Sequence, residues 1–177
     1  MSHELSTHGS RSLRRLFEEL VWRHFFEDLQ LEEPPVAQYV TELLADFSSG
    51  DKICSIRNAK GQTLDGIGEL LLESNPLLSA SSFDREREIR KYVGDYTLFM
   101  TGLFPESVAK VRKTLGLEAF IDFVRAGKES YAIVSSFDQF EYREAAPLFR
   151  RLSEHFELCV NCLNMVKQDL QIFQFET

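Results

Sequence analysis

The last third of the chain carries the pattern that most restricts the fold. Apolar residues recur there at alternating spacings of four and three, at Leu152, Phe156, Cys159, Leu163, Val166 and Leu170. This spacing places all of them on one side of a helix, as in the seam of a coiled coil. A helix with such a seam must pack against other helices to remove its apolar side from water. We therefore predict a long final helix over residues 144–170.

Helical periodicity also dominates most of the chain before this segment. Apolar residues at spacings of three and four predict helices over residues 12–26, 36–47 and 83–103, with further helices over 64–71, 106–116 and 117–137. A Pro after the first segment can open the second, and a Ser ahead of Asp84 is a typical helix N-cap. We predict an all-α, single-domain bundle of six or seven helices. Residues 1–10 are predicted to be a disordered polar tail, and residues 11–177 a single helical domain, because 177 residues suit one domain.

Residues 51–63 have the least regular pattern. The alternation of Ile53 and Ser55, followed by "NAKG", could form a hairpin. A single hairpin would have no sheet to join, so we favour a helical turn followed by a loop at Gly61. Helix, loop and hairpin all stay open for this segment.

Charge and composition exclude several classes of function. The formal net charge is −8, and the basic stretches are short, which argues against nucleic-acid binding because such proteins must neutralise phosphates. The N-terminus has no apolar run typical of a secretory signal, and no window approaches the roughly 18 apolar residues of a membrane span. Three cysteines give no paired disulfide framework. We therefore expect a cytoplasmic protein with free thiols.

Three residues of the final helix raise the question of a metal or thiol site. His155, Cys159 and Cys162 follow one another at spacings of four and three, so one helix would carry all three on the same side. Zinc requires about four ligands, and Cys54 is far away in the sequence. Redox CxxC pairs usually begin a helix, whereas this pair is predicted to lie well inside one. We favour two buried structural cysteines, with the metal or thiol site as the alternative.

Asp95 is the more informative candidate, because it lies within the apolar run "YVGDYTLFM". A carboxylate in apolar surroundings is costly unless it is paired. It therefore either bonds to a neighbouring helix or lines a ligand pocket as an acid with a raised pKa. The small residues Gly94 and Gly102 would allow a second helix or a ligand to approach closely. The predicted ligand-binding residues are Tyr92, Asp95, Tyr96 and Tyr131.

Recognisable catalytic motifs are absent from the sequence. It contains no E-x-x-H pair, no H-E-x-x-H, no P-loop and no G-x-S-x-G. His24, on the apolar side of the first helix, is interpreted as a hydrogen-bonded core histidine rather than a catalyst. We therefore predict no catalytic residue and no cofactor.

The segments "KYVGDYTLFMTGLFPESV" and "GKESYAIVSSF" resemble uncharacterised all-helical protein families of bacteria. The resemblance covers residues 85–137. It implies a helical cytosolic protein of a bacterium, and it brings no activity, ligand or functional residue with it.

These observations lead to one functional hypothesis and two rivals. The leading hypothesis is a non-catalytic helical protein that binds a protein partner or a small apolar ligand, with a homodimer as one form of partner. The first rival is an enzyme or ligand-responsive regulator with a pocket around Asp95 and the tyrosines. The second is a thiol or metal protein that uses His155, Cys159 and Cys162.

Overall fold

The computed structural model describes residues 2–49, 82–109 and 123–175. These residues form the helices α1 (Ser2–Arg23), α2 (Pro34–Ser48), α3 (Phe83–Leu103), α4 (Phe123–Ser136), α5 (Ala146–Glu154) and α6 (Phe156–Phe175). A π-helical turn, His24–Asp28, follows α1, and a 3-10 turn, Phe140–Tyr142, precedes α5. The described ranges contain no strand, and the predicted all-α single-domain bundle of six or seven helices is confirmed. None of the helices in these ranges is long and apolar enough to cross a membrane.

The N-terminal part of the chain differs from the prediction. A disordered tail was predicted over residues 1–10, but α1 begins at Ser2. Residues 2–10 contain no Pro and only one Gly, so nothing in this segment stops a helix that the apolar residues after it support. The interpretation of residues 51–63 and the helix predicted over 64–71 lie outside the described residues, as does most of the helix predicted over 106–116.

Helix boundaries that carry a chemical signal were predicted well. Pro34 lies at the first position of α2, where its missing N–H costs no hydrogen bond. Ser82 caps α3, and its Oγ accepts a hydrogen bond from the backbone N–H of Arg85 at 3.2 Å. The acidic residues of the first turn, Asp84 and Glu86, suit the positive end of the helix.

Helix α3 is the central element of the packing. Its residues from Val93 to Leu103 are almost all buried, as the apolar run in the sequence predicted. A Cβ atom added to Gly94 would lie 2.5 Å from the ring of Tyr131 on α4. At Gly102 it would lie 2.4 Å from Cβ of Leu163 on α6. The two glycines therefore allow α4 and α6 to pack directly against the backbone of α3, as their small size suggested.

The prediction of a single final helix over residues 144–170 is wrong in one respect. The structure has two helices, α5 and α6, with a break at His155, whose φ and ψ are −105° and 20°. The sequence near this break contains no Gly and has Pro only at Pro147, within the first turn of α5, so composition does not predict it. The apolar seam itself is correct, because Leu152, Phe156, Cys159, Leu163 and Val166 are all 0% exposed.

Candidate functional site

Asp95 lies at the meeting point of three helices. The residue is 7% exposed and occupies the middle of α3. Its Oδ1 accepts hydrogen bonds from the hydroxyl of Tyr39 on α2 at 2.6 Å and from that of Tyr131 on α4 at 2.8 Å. Its Oδ2 accepts one from Nζ of Lys91, one turn earlier on α3, at 2.7 Å. We call Tyr39, Lys91, Asp95 and Tyr131 the Asp95 cluster.

The electrostatics of this cluster keep both tyrosines protonated. Burial raises the pKa of Tyr131 well above its ordinary value of 10.0, and the negative charge of Asp95 raises it further. The same two causes, in the same order, raise the pKa of Tyr39. Both hydroxyls therefore stay protonated and donate to the carboxylate. The three donors therefore occupy three of the roughly four acceptor positions of the Asp95 carboxylate.

The four predicted ligand-binding residues divide into two groups. Asp95 and Tyr131 meet directly through a hydrogen bond. Tyr92 and Tyr96 instead stack on each other, with ring centroids 6.0 Å apart and planes inclined by 17°. The ring of Tyr92 also lies 6.2 Å from that of Phe47 on α2. Ligand binding by any of the four residues stays a prediction.

Sequence reasoning missed two members of the Asp95 cluster. Lys91 precedes Asp95 by four residues, the spacing at which a helical ion pair forms, and this signal was present in the sequence. Tyr39 lies within the helix predicted over residues 36–47, and its ring packs against the core. Its hydroxyl could not be assigned to Asp95, because helical periodicity does not say which faces of two helices meet.

The three residues of the alternative metal or thiol site lie around the start of α6. Cys159 and Cys162 are buried, and His155 lies in the break between α5 and α6. Within residues 2–49, 82–109 and 123–175, no group of three or more His, Cys, Asp or Glu side chains is placed to hold a metal ion. Cys54, the third cysteine, lies outside these ranges.

The thiols are held in their unreactive form by burial. Cys159 is the fourth residue of α6, so the prediction that it lies deep within a helix is wrong. A position near a helix start normally lowers the pKa of a thiol. Burial nevertheless raises the pKa of Cys159 from 9.0 to about 12, and it also raises that of Cys162. The effect of burial is therefore larger than that of the helix terminus.

His24 is a hydrogen-bonded core histidine, as predicted. It is 6% exposed and begins the π-helical turn after α1. Its Nδ1 lies 2.5 Å from Oδ2 of Asp28, and its Nε2 lies 2.7 Å from Oδ2 of Asp169 on α6. Arg23 also pairs with Asp169. This group links the end of α1 to α6, and both ring nitrogens of His24 take part in these contacts.

The most unusual exposed feature is the segment between α4 and α5, residues 137–145, which we call the aromatic loop. Phe140 in this loop is 89% exposed and has a φ of 50°. Tyr142 fixes the loop, because its hydroxyl donates to Oδ1 of Asp84 at 2.8 Å. The guanidinium of Arg87 also lies over the Tyr142 ring, 4.1 Å from its centroid. The sequence signal was an aromatic residue within the charged segment "DQFEYRE".

A cleft of about 490 Å³ opens along the aromatic loop. Its lining consists of Gln139, Phe140, Glu141, Arg143 and Glu144. The lining is thus one aromatic ring with polar and charged side chains of both signs.

Comparisons with known proteins leave the family open, since no family model, no curated protein and no solved structure matches this chain. Function must therefore be argued from the side chains.

Proposed function

We propose that this chain is a non-catalytic helical protein that binds a protein partner through the aromatic loop. The observation that carries the proposal is Phe140, which is almost fully exposed in a left-handed backbone conformation. That conformation costs a residue with a side chain about 1–2 kcal/mol. Backbone strain of this kind is concentrated at functional sites. Aromatic side chains are also among the residues that contribute most to protein–protein binding.

Two unfavourable features therefore coincide at Phe140. An exposed Phe keeps its apolar surface in water, and the backbone beneath it is strained. A partner that covers the ring would compensate for the first cost. The position of the loop, fixed by Tyr142, would reduce the entropy lost on binding.

The Asp95 cluster supports a binding protein rather than an enzyme. A general base needs an ionised or ionisable group within reach of a substrate proton. The carboxylate of Asp95 is instead engaged by two hydroxyls and one ammonium group. The engagement of this carboxylate by three donors favours a structural role for Asp95, in which it joins α2, α3 and α4.

We further propose that the protein acts in the cytoplasm. The two described cysteines are free and buried, which suits a reducing compartment. A second copy of the chain and a small apolar ligand are the other occupants to be tested at the aromatic loop.

A random peptide library displayed on phage tests the binding function, because the selected peptides tend to bind at protein-interaction surfaces. Peptides selected on the immobilised protein should lose affinity by about tenfold or more when Phe140 is changed to Asn. Asn tolerates the left-handed conformation, so this variant removes the ring and keeps the backbone. The matched control is Ile172→Asn, since Ile172 is also an exposed apolar residue, at 56%. Binders that are equally sensitive to both changes, or to neither, would contradict the proposal.

A further inference from the structure

We infer that the partner of the aromatic loop is a basic, apolar protein segment, and that the start of α3 forms the second half of its docking surface. This inference rests on the proposed partner-binding function and adds the chemistry of the partner. It depends on three observations: where Phe83 lies, which charges surround Phe140, and how the loop is held.

The first observation joins two exposed aromatic residues into one surface. Phe83 is 73% exposed and is the first residue of α3. The hydrogen bond from Tyr142 to Asp84 holds the aromatic loop against this end of the helix. Phe83 is adjacent to Asp84, and Phe140 is two residues from Tyr142, so both phenylalanines flank the same contact. Exposed apolar residues that lie near one another in this way are typical of interaction sites.

The second observation is the charge around these rings. On α3, Asp84 and Arg87 add one charge of each sign at Tyr142, and Arg85 beside Phe83 pairs with Glu88. The aromatic loop itself carries the carboxylates of Asp138, Glu141 and Glu144 against the single guanidinium of Arg143. All four of these residues are exposed. Glu141 and Glu144 line the cleft beside the ring of Phe140. An Arg or Lys side chain suits this cleft, because it can pair with the carboxylates and lie against the aromatic ring.

The same charges argue against a second copy of this chain as the occupant. A two-fold dimer places a surface patch against itself. The carboxylates of one loop would then face those of the other, and like charges opposed across an interface weaken it. A segment rich in Arg or Lys has the complementary charge.

The third observation is that the loop is held in place by its own backbone. The N–H of Tyr142 donates to the carbonyl of Gln139 at 3.1 Å, and that of Ala145 donates to the carbonyl of Tyr142 at 3.1 Å. The N–H of Arg143 donates to the carbonyl of Phe140. Phe140 is therefore presented in one backbone conformation, as a preformed binding surface requires.

Two synthetic peptides test the inference. One alternates Arg with Leu, and its counterpart carries Glu in place of every Arg. In fluorescence anisotropy with the full chain, the basic peptide should bind at least about tenfold more tightly than the acidic one. Its affinity should fall as salt rises from about 0.05 to 0.5 M, because the ion pairs are screened. Replacing both Glu141 and Glu144 by Gln should remove most of this preference.

Variants of the two aromatic residues locate the binding surface. Phe140→Asn and Phe83→Asn should each weaken binding of the basic peptide by about tenfold, whereas Ile172→Asn should leave it unchanged. Circular dichroism confirms that each variant is folded. Unchanged binding by Phe83→Asn would overturn the assignment of the start of α3 to the surface.

The remaining outcomes separate this inference from the proposed function. Equal binding of both peptides that still requires Phe140 would overturn the basic partner and leave partner binding intact. Peptide binding that is unchanged in Phe140→Asn would overturn both the basic partner and the proposed partner-binding function. A dimer in analytical ultracentrifugation that Phe140→Asn dissociates would identify a second copy as the occupant and overturn the basic segment.

Discussion

Replacing Asp95 by Ala tests the central contact of the bundle. The change leaves the hydroxyl of Tyr131 without an acceptor in a fully buried position, which should cost about 1–3 kcal/mol. Tyr39 is half-buried, so the loss of the acceptor for its hydroxyl should cost about 1 kcal/mol. Lys91 is 38% exposed and can turn towards water, so its lost ion pair should add less than about 1 kcal/mol. We therefore expect Asp95→Ala to lower the free energy of unfolding by about 2–5 kcal/mol.

Replacing Asp95 by Asn separates charge from hydrogen bonding at the same position. The amide keeps one carbonyl oxygen, which can still accept from the hydroxyls of Tyr39 and Tyr131. It loses the negative charge that strengthens these bonds and pairs with Lys91. We expect a smaller loss of about 1–2 kcal/mol. Urea denaturation followed by circular dichroism measures both variants, provided that the slope of the transition stays constant.

The refuting result comes from a double-mutant cycle. In a Tyr131→Phe background there is no buried hydroxyl at this position to lose its acceptor. The cost of Asp95→Ala should therefore fall by about 1–2 kcal/mol relative to the wild-type background. Equal costs in both backgrounds would show that Asp95 and Tyr131 are not coupled. An unchanged denaturation midpoint for Asp95→Ala would show that the carboxylate does not stabilise the bundle.

Four further predictions concern other parts of the structure. Phe140→Gly should raise the free energy of unfolding by about 1 kcal/mol, because Gly adopts positive φ without strain. The matched control is Gln30→Gly, because Gln30 also has a positive φ, of 52°. If Phe140→Gly alone lowered the stability, the ring of Phe140 would have to pack within the chain. Stability should decrease as pH rises above about 9, the ordinary pKa of a thiol, because the unfolded chain then loses its thiol protons. The folded protein keeps the proton of Cys159 longer, since burial raises the pKa of this thiol to about 12. Above the ordinary tyrosine value of 10.0 the two tyrosines of the Asp95 cluster add to this decrease, and a flat profile in alkaline denaturation scans would contradict both. Cys159→Ala should cost about 1–2 kcal/mol in urea denaturation, as loss of a small buried group. Cys159 and Cys162 should resist a thiol reagent until the protein unfolds, and their labelling in the native state, located by peptide mapping, would refute the structural interpretation.

The sequence predicted well those features that depend on one helix at a time. The apolar seam of α5 and α6, the Pro34 start of α2 and the serine cap of α3 were all recovered. Each of these depends on local spacing or on the chemistry of one residue at a helix end. Asp95 was also identified correctly as a residue that needs a bonding partner, because a carboxylate in an apolar run stands out by itself.

The sequence did not predict features that depend on contacts between helices or on one backbone angle. Periodicity placed Tyr39, Tyr92 and Tyr96 on helix faces without showing which of them faces Asp95. The structure selects Tyr39 for Asp95 and stacks the other two on each other. The positive φ of Phe140 was also hidden, since Gly or Asn is the usual sign of that conformation. The break at His155 carried no Gly signal.

The core and the exposed loop are connected through α3. In its buried half, Asp95 fixes this helix to its neighbours, and in its first two turns Asp84 and Arg87 hold the ring of Tyr142. Strain at Phe140 persists only if the surroundings prevent the backbone from relaxing. Tyr142, two residues away, supplies that restraint through a hydrogen bond and a cation–π contact. A partner that covers Phe140 would therefore meet a loop already held in one conformation, and less of the favourable contact energy would be offset by the entropy lost on ordering the loop.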